Sequence, residues 1–173
     1  MATKTWVVDP IHSEIQFKIK HLMITNVTGS FPIFTVTAST EEEDFRNAAI
    51  HFTADTASIH TGNEQRDGHL KSADFFAAEQ YPQIKFAATK YSAVEQELEG
   101  DLTIKEVTKS VKLLVEFGGV VKDPYGNTKA GFTITGKINR KDFGLTWSAV
   151  TEAGGIVVSD EVRINCEIQL VAQ

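Results

Sequence analysis

Cysteine occurs once in the 173 residues, at Cys166, which excludes an intramolecular disulfide framework, a zinc ribbon and a CxxC redox pair. Long apolar runs are missing as well: none approaches the ~20 residues of a spanning helix, so no membrane-spanning segment is expected. Basic excess is absent, the formal charge being −6 with a pI near 5.4. No nucleic-acid partner is expected, because phosphate neutralisation needs a basic face. Residues 1–10 carry neither the apolar stretch nor the small-residue cleavage site of a secretory signal, which predicts a cytoplasmic protein. Linkers, internal repeats and low-complexity tracts are lacking too. With 42% hydrophobic and 23% charged residues, the expectation is one globular domain over residues 1–173, large enough to bury a core unaided.

What the sequence does have is alternation with period two, which puts successive side chains on opposite faces of a strand. Ile15, Phe17 and Ile19 alternate with Glu14, Gln16, Lys18 and Lys20. The pattern recurs at Ile50, Phe52 and Ala54, at Ile84, Phe86 and Ala88, and at Leu98, Gly100, Leu102 and Ile104. It continues at Val111 to Phe117, Ala130 to Ile138 and Val162 to Leu170. The last of these, residues 161–171, would be roughly 36 Å long at ~3.3 Å per residue. With segments near residues 4–8 and 30–38 there are about eight or nine strands. One apolar and one polar face per strand predicts an all-β, antiparallel sheet closed into a single extended barrel, because closure removes exposed edges. Turns are marked at residues 123–127 and at Gly154 and Gly155, and the acidic run 41–44 reads as a solvated turn.

Residues 61–78 break the alternation. Thr61 followed by Glu64 fits a capping box, and Leu70, Ala73, Phe76 and Ala77 recur at helical spacing, predicting one or two short helices across one end of the barrel.

The polar residues with chemical potential divide into few groups. Asp9, His12 and Ser13 contain the residue types of a hydrolytic triad, but on an extended chain His12 and Ser13 point to opposite faces, so local hydrogen bonds at the start of a strand are the better reading. The five histidines lack metal-ligand spacing, and neither metal nor cofactor is expected. Arg66 and His69 at i, i+3 share a helical face and are candidates for an anionic head group, or Arg66 pins the helix through a carboxylate or carbonyl. Arg140 and Lys141 follow a strand and offer a second cationic pair, or a tight turn with a surface ion pair. Cys166 is in register with apolar neighbours and is expected to be buried and unreactive.

Eleven phenylalanines are many for this length, and parity turns Phe17, Phe52, Phe86, Phe117 and Phe132 inward. An eight-stranded barrel has an interior that side chains fill or that holds one small ligand. Small inward residues at Ala54, Ala88, Gly100, Ala130 and Gly136 leave room beside the rings, which favours a cavity.

Ordered blocks then carry a resemblance. Residues 9–17, His21 to Met23 and Val27 to Phe31, the block 58–76, residues 81–86, 100–105 and 138–147 together resemble the YceI-like family over nearly the whole chain. Glu106 stands where that family usually has glycine, and Ser110 where proline is frequent, which alters one turn. The resemblance implies a lipocalin-like barrel whose apolar tunnel binds a polyisoprenoid or other long-chain amphiphilic lipid, without catalytic residues. Phe17, Ile19, Phe31, Phe52, Arg66, His69, Phe76, Phe86, Phe132, Ile134, Arg140 and Trp147 are the candidate ligand-binding residues. Two other readings compete: an enzyme acting on such a lipid with His12, His21 or His69 as general base, and a packed-core interaction module. A homodimer through a strand face or the helical end is a further expectation.

Overall fold

The computed structural model describes residues 3–41, 45–147 and 158–173. Ten strands form one antiparallel sheet: β1 (Lys4–Val8), β2 (Glu14–His21), β3 (Thr25–Ser30), β4 (Phe34–Thr40), β5 (Ala49–Asp55), β6 (Gln83–Ser92), β7 (Glu97–Ile104), β8 (Val107–Lys122), β9 (Thr128–Asn139) and β10 (Val158–Ala172). Eight of them close a ring in the order β1-β4-β5-β6-β7-β8-β9-β10, sealed where Trp6, Val7 and Val8 pair with Ala172, Val171 and Leu170. The remaining two, β2 and β3, form a hairpin on the same edge of β10, pairing with its residues 158–167. Long β10 thus serves both seams: its C-terminal residues meet β1 and the rest meets β2.

The barrel curves through irregular pairings. The register shifts between Ala88 and Lys90 in β6 and between Phe117 and Gly119 in β8, where Gly119 has φ 104. Such bulges raise the local twist and let a sheet bend round on itself. The hairpin of β7 and β8 closes with Ile104 opposite Val107, Lys105 taking φ 58, so Glu106 in place of glycine is accommodated in a tight turn. The β8–β9 turn is held by Asp123, whose Oδ1 accepts from the amides of Tyr125 and Asn127, both at 2.9 Å.

One α-helix, α1 (Glu64–Lys71), lies between β5 and β6. The capping residue differs from the expected one. Asn63, not Thr61, is the N-cap, its side chain accepting from the Arg66 amide at 2.9 Å. Thr61 is engaged elsewhere: its amide donates to Asp67 Oδ1 at 2.9 Å and its hydroxyl to the same oxygen at 2.5 Å. The helix stops at Ser72, whose amide bonds back to His69. The expected turn at Gly154 and Gly155 lies outside the described residues, as does most of the acidic run 41–44.

Two apolar clusters result, one towards each end. Trp6, Val36, Ala38, Phe45, Ala130, Ile168 and Leu170 gather where β1 closes the ring. Phe31, Ile59, Phe75, Phe76, Phe143 and Leu145 gather at the other end, where the α1 segment and the 3-10 turn Arg140–Phe143 pack on the barrel.

Candidate functional site

Between the clusters lies a cavity of about 180 Å³. It extends from Ile104, Val111 and Ile138 near α1 to Phe45 and Leu170 near the β1 seam. Its lining is hydrocarbon and aromatic apart from Gln16, Tyr91 and the Cys166 thiol. Apolar cavities of comparable size, about 150 Å³, stay dry and take up apolar guests. Phe17, Phe52, Phe132 and Ile134 line it and remain half-buried, as inward side chains do when they face open space rather than neighbours.

The room has a different origin from the one expected of small residues. A Cβ at Gly29 would lie 2.2 Å from Phe17 Cζ, at Gly100 2.5 Å from Phe86 Cζ, and at Gly136 2.4 Å from Leu113 Cδ2. The space above these glycines is therefore occupied. Each lets a large side chain lie flat against the wall, and the lumen is clear because those side chains are recessed.

The β1 end is shut by aromatic rings. Trp6 and Phe45 are wholly buried with centroids 4.9 Å apart. Phe45 packs edge-on against Phe132 at 4.9 Å, and Phe132 stacks on Phe117 at 5.0 Å. Trp6 Nε1 donates to Thr40 Oγ1 at 2.9 Å, so the indole brings no unpaired donor into the core. Phe45 sits at φ 63, a conformation costly for a phenylalanine and offset here by the packing of its ring.

At the α1 end polar clasps lie over an apolar layer. Arg140 is 2% exposed, and its guanidinium donates to the carbonyls of Ser159 (2.9 Å), Leu145 (2.6 Å), Trp147 (2.6 Å) and Val158 (3.5 Å). Burial lowers its pKa from the ordinary arginine value, and Asp160 at 3.7 Å acts in the opposite sense. Arg66 Nε donates to Thr61 Oγ1 at 2.8 Å and Nη2 to the Thr61 carbonyl at 2.7 Å. His69 bonds Asp74 through Nε2 at 2.9 Å and stands edge-on to Phe75 and Trp147 at 5.1 and 4.9 Å.

Of the twelve candidate residues, Phe17, Phe31, Phe52, Phe86, Phe132 and Ile134 come together around the cavity. Phe76 and Trp147 lie behind that layer, Phe76 edge-on to Phe31 at 5.9 Å. Ile19 is half-buried on β2 between Val27 and Val162. Arg66, His69 and Arg140 spend their polar atoms on the chain itself. Sequence reasoning passed over Phe45, whose place in a non-alternating connection gave it no parity, and Trp6, whose two-sided cover cannot be read from one strand.

The other polar candidates sit outside the barrel. His12 Nδ1 and Asp9 Oδ2 are 2.8 Å apart, and Lys129 Nζ reaches the same carboxylate at 2.9 Å. The hydrogen bond from Lys129, then that from His12, holds the Asp9 pKa down at about 2. Ser13 is buried and faces the other way, accepting from the Gln169 amide at 2.9 Å. Cys166 lines the cavity, and burial pushes its thiol up to about 12.

Comparison with known proteins adds context. The chain matches the family described as YceI-like domain over residues 6–170. A UPF0312 protein of Staphylococcus aureus strain N315 is 40% identical over 162 residues, covering 93% of this chain and 94% of that one. The Campylobacter jejuni YceI crystal structure superposes with TM-score 0.74 at 35% identity, covering 89% of this chain and 90% of the other. A polyisoprenoid-binding domain from Saccharophagus degradans, implicated in plant cell wall breakdown, shares the fold with TM-score 0.73 at 14% identity, covering 97% and 98%.

Proposed function

The chain belongs to the YceI-like family, and from that premise we propose that residues 1–173 form one barrel domain that binds the apolar chain of an isoprenoid or similar amphiphilic lipid, as a carrier or sequestering protein rather than an enzyme. The observation that carries this reading is the apolar cavity running along the barrel between its two apolar clusters. The name of the Saccharophagus neighbour points to the same ligand class, though at its identity the likeness speaks for fold.

Affinity in such a lumen needs few polar contacts. Each buried methylene is worth about 0.8 kcal/mol, so one five-carbon unit offers roughly 3–4 kcal/mol before ordering costs. In this reading Phe17, Phe31, Phe52, Phe86, Phe132 and Ile134 hold the tail. Selectivity then comes from the bore of the lumen more than from a head-group site, since Arg66 and Arg140 are already bonded to backbone carbonyls.

Against a catalytic reading stands the placement of the three histidines. His12 lies on the outer surface with Asp9, His21 at the end of β2, and His69 against Asp74; none lines the cavity. A general base must come within hydrogen-bond reach of its proton, and among the described residues the lumen is lined by no histidine or carboxylate. Against a solid core stands the cavity itself.

Mass spectrometry of an organic extract from purified protein, beside native intact mass, tests the reading. A stoichiometric isoprenoid or long-chain lipid is expected. Phe132→Glu, which puts a charge into the lumen, is expected to abolish retention in a variant that keeps its far-UV circular dichroism. An empty protein that refuses added prenyl lipids, or a folded variant with unchanged stoichiometry, would sink it.

A further inference from the structure

We propose that the tip of the β2–β3 hairpin docks the α1 end of the barrel onto an anionic lipid bilayer surface. This goes beyond ligand binding in the lumen and stands on separate observations.

The tip is three consecutive apolar residues, Leu22, Met23 and Ile24, which are 38%, 55% and 76% exposed. The chain turns there with φ 53 at Leu22 and 60 at Met23, and the Ile24 amide bonds the His21 carbonyl at 3.1 Å. Two left-handed residues in a tight hairpin turn are the province of asparagine and glycine. Here the strained positions carry large hydrophobic side chains that stay in part exposed to water. Contiguous exposed hydrophobics of this kind mark interaction sites.

Charge identifies the partner. The protein carries 23 acidic residues, yet none lies between Glu14 and Glu41, the segment that contains the whole hairpin except its first residue. Lys18 and Lys20 on β2 are exposed and make no ion pair among the described residues. Lys18 stands opposite Arg163, and Arg163 opposite Lys137, giving a row of three cations across neighbouring strands. Glu161 lies near both Lys137 and Arg163, at 3.9 and 3.7 Å, and Asp160 takes Lys141 at 3.3 Å, so the surplus rests with the two lysines of β2. An apolar tip with lysines behind it suits insertion among acyl chains beneath anionic head groups. Repulsion from the net negative body is screened beyond about 10 Å, whereas the lysines act at contact.

Orientation follows from pairing. His21 lies opposite Val158, and the residues that begin β10 are clasped by Arg140 together with Trp147. A tip seated in a bilayer therefore turns the α1 end, not the aromatic end, towards the lipid.

Flotation of the full chain with vesicles of phosphatidylcholine alone, and of phosphatidylcholine mixed with phosphatidylglycerol, tests this. Binding to the mixed vesicles is expected to fall about tenfold or more in the double variant Met23→Asp, Ile24→Asp. Reversing Lys18 and Lys20 to Glu is expected to weaken it about fivefold per lysine, with the remaining binding insensitive to phosphatidylglycerol. Failure of the parent to float with either vesicle overturns the proposal, as does undiminished binding of the tip variant. A tip that instead mediates a dimer, seen as a mass change by light scattering on Met23→Asp, overturns it too. The tip variant should still take up an apolar fluorescent probe as the parent does, so loss of docking and loss of the lumen read out separately.

Discussion

The two ends of the barrel are packed by different physics. At the β1 end, Trp6, Phe45, Phe117 and Phe132 come from separate parts of the chain and pack chiefly ring on ring. At the α1 end the apolar layer lies under hydrogen bonds onto backbone carbonyls, through Arg140 and Arg66, and under the contact of Thr61 with Asp67. Ring packing loses its contacts wholesale when disturbed, so it resists local opening. Clasps on loop carbonyls exchange with water one at a time, which is the character of segments that open below the global unfolding free energy. The barrel thus has a fixed floor and a releasable cover.

Removing a ring from the floor should have the largest effect. Phe45→Ala is expected to cost about 3–5 kcal/mol, measured by chemical denaturation, because three rings lose a shared neighbour. Next comes the cover: Arg140→Met should cost about 2–3 kcal/mol, having left buried carbonyls without their donor. Hydrogen exchange should also speed up around residues 140–147 while the amides of β1 stay protected. Equal acceleration at both ends would erase the contrast between them.

A smaller effect sharpens the contrast by acid. Asp9 joins the start of β9 to the short turn ahead of β2 through Lys129 and His12, and its side chain is only 13% exposed. Its folded pKa of about 2 lies below the ordinary 3.8. The stabilisation is therefore complete above about pH 4 and is lost as pH falls from there through 2, on the order of 1 kcal/mol after solvent screening. Asp9→Asn should remove that part of the acid dependence, followed as the denaturation midpoint between pH 5 and 2.

Much of this was legible in the sequence. Strict alternation placed β2, β9 and β10 and turned Phe17, Phe52, Phe86 and Phe132 inward, because a half-buried strand leaves a period-two record. β3 left none: Thr25, Asn26, Thr28 and Gly29 surround the lone apolar Val27, and the hairpin is specified by its partner. Asn63 displaced Thr61 as helix cap because both suit the role and only the fold reveals that Asp67 needs Thr61. The arginines stood open between two roles for a related reason. A guanidinium beside a turn reads equally as a ligand for an anion or for carbonyls, and only its bonded partners in the fold tell them apart.

The glycines beneath Phe17, Phe86 and Leu113 bear on how such a protein changes its ligand. The bore of the lumen is set by what three wall positions lack. One methyl added at Gly29 or Gly136 has no space of its own and must displace the overlying side chain, whereas at Gly100 it would also meet the Ala87 backbone carbonyl at 2.6 Å. A tube built this way can be re-gauged for a slimmer guest by a single substitution at Gly29 or Gly136, where a side chain rather than the backbone gives way.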